Sequence, residues 1–237
     1  MKSKDFFKLF SEGARKISGN PLMIVGSLLL GVILFVISEL GEKLAINFQT
    51  TLSNILWTAF FSLVFLVLVS YFIAGLIGMA LKSVKGEVKW KDFSSNANRF
   101  WFKNFQVMLL IVIVSILIGR IAHYVAMFIG RMAGLSLEAA LLLFVLIYFA
   151  GLIGVLIFFT FSSFLLVKEN LKVRKSVRRS FALVRREYLA TLSLTIILFV
   201  IYYLLGWIPG IVGDVVVYGL ALPYFVWILT KFVVSIK

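Results

Sequence analysis

The sequence predicts an all-α integral membrane protein of six transmembrane helices, arranged as three parallel helix-hairpin repeats, each preceded by a basic amphipathic interfacial helix. Three observations lead there. Of the 237 residues, 62% are hydrophobic and only 14% charged, against about half and about a quarter in a soluble domain. Six apolar stretches approach or exceed the roughly 20 residues a helix needs to cross about 30 Å of hydrocarbon. The 24 Lys and Arg fall almost wholly on one side of those stretches. An ordinary soluble enzyme, a disordered chain and a coiled-coil rod are excluded.

The first span runs from Pro21 to about Glu39, with Asn20 as N-cap and Pro21 at the first helical position. The second covers Ile55 to Leu81. The third covers Asn104 to about Ile129 and is interrupted by Arg120 and His123. The fourth covers Ala139 to Val167, the fifth Leu189 to Leu205, and the sixth Ile211 to about Phe232. Gly206-Trp207-Ile208-Pro209-Gly210 is a turn string that makes the last two a tight hairpin. Trp57 and Trp207 fall where an outer aromatic belt belongs, Trp90 and Trp101 where an inner one does.

The N-terminal tail, the second and fourth loops and the C-terminus carry 21 basic residues. The other side carries only Lys43 and Arg131, and Arg120 lies within a span. This positive-inside pattern predicts cytoplasmic N- and C-termini, and an even number of spans agrees with it. Glu39, Glu42, Glu138 and Asp214 fall on the outer side. No small-x-small cleavage site follows the first apolar run, so that run is expected to stay as a helix. The expected location is the plasma (inner) membrane of a prokaryote. The net charge of +14 then reads as membrane orientation, with anionic lipid as its partner and no nucleic acid.

Three basic segments precede the hairpins. In Leu171–Ala190 the apolar residues Val173, Val177, Phe181, Val184 and Tyr188 recur at helical spacing, against Lys172, Arg174, Lys175, Arg178, Arg179, Arg185 and Arg186. The second loop repeats this with Trp90, Phe93, Ala97 and Phe100/Trp101, the N-terminal tail with Phe7, Phe10, Ala14 and Ile17. Such helices lie in the headgroup plane and attract anionic lipid. They either anchor the protein or offer a docking surface, for a headgroup or a soluble partner, at Arg174, Lys175, Arg178, Arg179, Arg185 and Arg186.

Ala74-Gly75-Leu76-Ile77-Gly78 recurs as Ala150-Gly151-Leu152-Ile153-Gly154, and Phe10-Ser11-Glu12-Gly13-Ala14 echoes Phe93-Ser94-Ser95-Asn96-Ala97. The expected units are residues 1–82, 83–168 and 169–237 of a single membrane domain, all in one orientation. Gly75, Gly78, Gly151 and Gly154 read as close helix-packing positions. Pro223 removes a hydrogen bond to the Gly219 carbonyl, which predicts a kink.

His123 follows Arg120 by three residues, so both share a helix face. Arg120 either snorkels or pairs with Asp214, Glu138, Glu39 or Glu42, or it binds an anion in a small outward-open cavity beside His123. Enzyme constellations are missing. One histidine and no cysteine cannot build a His- or Cys-rich metal site. No His-Glu-x-x-His, Walker A loop, GxGxxG or Gly-x-Ser-x-Gly occurs, so neither a metal nor a cofactor is expected.

Val167-Lys168-Glu169-Asn170-Leu171, followed by Ser176, Arg179-Ser180-Phe181, Leu183-Val184 and Tyr188, resembles a pattern between the fourth and fifth spans of a group of six-helix prokaryotic membrane families. That group includes the membrane domain fused to some glycerophosphodiester phosphodiesterases. Ser176-Val177 stands where the families often have Ala-Leu, and Phe181 where they often have Trp. The resemblance implies a non-catalytic membrane module linked to phospholipid-derived substrates, and it carries over no catalytic residue. The expected function is binding, transporting or organising lipids or small amphiphiles. The alternative is the membrane subunit of a multi-component transporter whose partner docks on the basic helices.

Overall fold

A computed structural model describes residues 3–45, 51–205, 207–208 and 210–236. Gly206 and Pro209 of the predicted turn and the terminal Lys2 and Lys237 lie outside these, as do the side chains of Lys4, Phe7, Glu42 and Lys43. The described residues form α1 (Ser3–Ser18), α2 (Pro21–Ala45), α3 (Thr51–Ser83), α4 (Trp90–Met132), α5 (Leu137–Glu169), α6 (Val173–Arg186), α7 (Tyr188–Leu205), α8 (Gly210–Val216), a π turn (Val217–Ala221) and α9 (Leu222–Ser235). Six helical stretches are long and apolar enough to cross a membrane: Pro21–Gly41, Ser53–Ser83, Trp90–Met132, Leu137–Glu169, Tyr188–Leu205 and Val212–Ser235.

Local chemistry decides where helices break. Asn20 accepts the backbone N–H of Met23 through its carbonyl at 3.0 Å, and Pro21 opens α2. Asn170 ends α5 in the left-handed conformation (φ 51°), which asparagine tolerates, and the chain folds back as α6. Only Glu187 separates α6 from α7. The second basic segment is not a separate helix. Nothing between Trp90 and the third span is a Gly or Pro, and α4 runs unbroken for 43 residues. Before Pro223 the ladder shifts by one residue: the Leu222 N–H reaches Val217 O, giving a π turn where the sequence predicts a kink.

The core lies at the basic end. There Ala74–Ala80 of α3, Phe161–Val167 of α5 and most of Val226–Val233 of α9 are buried, and all three helices touch one another. Each also carries a basic segment. The aromatic doublet Tyr71-Phe72 meets Phe93 of α4, with ring centroids 6.0 and 5.5 Å away. Phe158-Phe159 meets Phe181 of α6 at 4.8 and 5.3 Å. Tyr224, of the doublet Tyr224-Phe225, meets Phe10 of α1 at 6.0 Å. The doublets lie 12, 11 and 11 residues before the ends of their helices at Ser83, Glu169 and Ser235. One polar bond reinforces each junction. Tyr71 Oη donates to Asn98 Oδ1 at 3.1 Å, Ser180 Oγ to Phe158 O at 2.6 Å, and Tyr224 Oη to Phe10 O at 2.9 Å. The first basic segment therefore docks on the last span, and the three junctions form a closed ring.

Docking on protein changes which faces are buried. In α1 the packed residues are Leu9, Gly13 and Ile17, while Phe10 is half-buried and Ala14 exposed. Gly13 makes this possible, since a Cβ there would stand 2.8 Å from Tyr224 and 3.2 Å from Trp227. In α6 the buried residues are Ser176, Ser180 and Val184. Val173, Val177 and Phe181 are only half-buried, and Tyr188 is exposed at the start of α7. Serine wins the inner face because its short side chain lets α6 approach the α5 backbone.

The predicted glycine contacts divide. A Cβ on Gly75 would meet Phe93 at 2.5 Å, on Gly78 Asn96 at 2.4 Å, and on Gly151 Ile118 at 2.5 Å. A Cβ on Gly154 would enter open space, with nothing within 4 Å. Below Gly151, α4 leaves α5 for α3, where Asn104 Nδ2 donates to Ser70 O at 2.9 Å. The two Ala-Gly-Leu-Ile-Gly strings are thus not equivalent in place. Ala74 starts nine residues before the end of α3, Ala150 nineteen before the end of α5.

Candidate functional site

The fold-back at Asn170 lays α6 against α5 and leaves an open hollow of about 660 Å³ between them and the end of α9. Its rim holds Lys168, Lys175, Arg178, Arg179 and Arg186, with Glu169 the one carboxylate among the lining residues. Its apolar floor includes Leu165, Leu171, Leu183, Val233 and Ile236. Lys168 is held in place: its Nζ donates to Val233 O at 2.8 Å, where a cation also opposes the dipole of α9. Arg179 Nε lies 3.1 Å from Glu169 Oε2, and Arg186 Nε lies 3.6 Å from Glu187 Oε1. Among the described residues, Lys175 and Arg178 carry no ion pair. Five cations against one carboxylate over an aliphatic floor form a surface that suits an anionic head attached to an apolar body.

Four of the six arginines and lysines singled out in the fourth loop thus share this hollow. Arg174 and Arg185 point elsewhere. With Val177, Arg178, Phe181, Ala182 and Arg186 they line a shallower depression of about 790 Å³ on the adjoining face of α6, which shares Arg178, Ala182 and Arg186 with the hollow. A third hollow of about 420 Å³ continues from the first at Ile236 toward α1, lined by Lys8, Glu12, Glu187 and Lys231 among others. Lys231 Nζ lies 3.5 Å from Glu12 Oε2. Lys168, Val233 and Ile236 are functional candidates that sequence reasoning missed. Lys168 looked like one more loop cation, and α9 approaches from 65 residues away with no local signal.

Arg120 and His123 lie together, and Asp214 does not join them. The pair lines a groove of about 510 Å³ between α4 and α5 with Ser115, Gly119, Phe144 and Tyr148 among others. The His123 ring stands edge-on to Phe144 with centroids 6.0 Å apart. Asp214 lies on α8 and is absent from the lining of this groove. Among the described residues Arg120 makes no ion pair. An unpaired arginine at the centre of a span costs on the order of 2.5–3.5 kcal/mol on insertion scales, an upper bound for Arg120, which lies to one side of the centre. Among the described residues no three His, Asp or Glu gather into a metal-holding group.

No curated protein and no solved structure is found to match this chain. A family model does match, over residues 6–236, nearly the whole length and every element that builds the ring and the basic hollow. The chain belongs to that family, described as a domain of unknown function, DUF7847.

Proposed function

We propose that the protein is a non-enzymatic multi-pass protein of a prokaryotic plasma membrane, with cytoplasmic termini, that binds and organises anionic lipids or small amphiphiles on its cytoplasmic face. The hollow of about 660 Å³ carries the proposal, because it joins a basic rim to an apolar floor. A phosphate or carboxylate would sit between Lys175 and Arg178, the rim cations without an ion pair among the described residues. Lys168, tied to α9, would hold the depth of the head. The likeness of residues 167–188 to a membrane domain found beside phospholipid-derived substrates points the same way. The ring of three basic segments on three second spans also supports the threefold repeat with units near 1–82, 83–168 and 169–237.

The test is lipid titration of the purified protein in nanodiscs of phosphatidylcholine doped with phosphatidylglycerol. Each surface cation contributes about 1 kcal/mol to anionic lipid attraction. Lys175→Gln and Arg178→Gln are each expected to weaken phosphatidylglycerol binding about fivefold. Equal binding of wild type and the double variant would overturn the proposal. A second reading, a docking face for an acidic protein partner, is favoured by Arg174 and Arg185, which line the depression outside the hollow. It expects Arg174→Gln and Arg185→Gln to lose a partner while lipid binding is retained.

A further inference from the structure

We infer that the Arg120 groove seats the phosphate of an anionic phospholipid drawn from the leaflet opposite the basic hollow. This stands apart from the function proposed above and rests on different residues. Arg120 is twelve residues from the end of α4 at Met132, about 18 Å along the axis. Gly119 packs against Tyr148, which is five residues from the middle of α5 (Leu137–Glu169). Arg120, one residue further along α4, therefore sits about 9 Å from the midplane of that arm, inside hydrocarbon about 15 Å deep per leaflet.

Its direction closes the usual escape. Side chains on a helix lean toward its N-terminus, and α4 runs from the basic end toward the Met132 turn. Arg120 therefore leans away from the nearer membrane surface, along a groove that Ile111, Val112, Ser115 and Ile116 line toward the basic end and His123 lines one turn ahead. Snorkelling to that surface works against the backbone. No carboxylate of the chain takes its charge among the described residues. Glu138 lies ten residues from Tyr148 along α5, about 15 Å away, and Asp214 is on α8, outside the groove lining.

An anion must therefore come to Arg120 from the side. Ile116 is 59% exposed, so the groove is open along the lipid-facing flank of the hairpin. A phospholipid fits both halves of the demand. Its phosphate accepts from Arg120, with Ser115, His123 and Tyr148 near enough to add donors, while its acyl chains lie along Ile111, Val112 and Ile116.

The chain has no cysteine, so one introduced thiol labels cleanly. Leu117→Cys, exposed on α4 and not part of the groove lining, would carry bimane in nanodiscs containing brominated lipid. Quenching by brominated phosphatidylglycerol is expected to half-saturate at a mole fraction about tenfold below that for brominated phosphatidylcholine. Arg120→Gln should abolish that preference, Arg120→Lys should keep most of it, and Arg178→Gln should leave it unchanged. Inorganic phosphate should not compete. The proposal is overturned if the two lipids quench alike in the otherwise native protein. It is also overturned if Arg120→Gln keeps the preference, if inorganic phosphate displaces the lipid, or if Arg120→Gln instead separates an oligomer, which would make a second copy's carboxylate the partner. Should Arg120→Gln fail to fold, the comparison of the two lipids against the native arginine still decides.

Discussion

The basic end and the opposite end of this bundle are built from the same helices by different rules. At the basic end the runs Ala74–Ala80 of α3 and Phe161–Val167 of α5 are buried throughout and Val226–Val233 of α9 for the most part, and each helix is gripped by a basic segment from the next hairpin. Toward the opposite end α4 and α5 touch mainly each other, through Gly119, Gly130 and Gly151. Large apolar residues such as Leu142 and Leu146 there face outward. Lipid tails are as apolar as leucine, so an apolar face alone gives helices no reason to gather in a membrane. Close backbone approach and polar bonds do, and the basic end concentrates them. The stability of the fold should therefore reside at the basic end, leaving the other end free to meet lipid.

The sharpest contrast is between two tryptophans. Trp227 is 1% exposed at the centre of the basic end, whereas Trp207 is 73% exposed near the opposite end. Trp227→Ala is expected to lower stability by about 3–5 kcal/mol, and Trp207→Ala by less than about 0.5 kcal/mol, measured by unfolding in detergent micelles. Next come the glycines. Gly78→Leu must displace Asn96 and should cost about 3 kcal/mol, while Gly154→Leu enters open space and should be nearly neutral. Equal losses at the two sites would erase the distinction between the ends. Tyr224→Phe removes only the bond to Phe10 O. It is expected to cost about 1 kcal/mol and to hasten proteolytic release of α1. Lys231→Ala breaks a partly exposed pair with Glu12 and should fall below about 1 kcal/mol.

Much of this was legible in the sequence because hydrocarbon thickness imposes length and apolarity directly. Each of the six predicted spans falls within a helix that is long and apolar enough, the sixth apart from its first residue, Ile211. Pro21 opens α2 as read, while the Asn20 side chain accepts from Val88 N and donates to Lys16 O instead of capping the first turn. What stayed hidden depends on partners distant in sequence. Amphipathic spacing showed that α1 and α6 each have an apolar face, but the face that packs was chosen by Gly13 and Ser180, small residues that hydropathy ranks low. The repeated glycine string suggested a register that the structure does not keep, because apolar segments match by composition. The aromatic doublets hold the common register, but Tyr148-Phe149 matches Tyr71-Phe72 and Tyr224-Phe225 equally well in sequence, so residue type alone does not tell which doublets dock a basic segment. At the basic hollow the α6 cations were readable and the α9 floor was not, since only folding brings Val233 to Lys168.

Closure of the ring by α1 is tested most directly by spin labels at Ser11→Cys and Ser235→Cys, both exposed positions on helices that pack together. Docked α1 predicts one short, narrow distance, set by the interaxial separation of about 8–10 Å between packed helices plus the two label tethers. A long, broad distribution would show α1 lying independently on the membrane surface, and would contradict the closed ring.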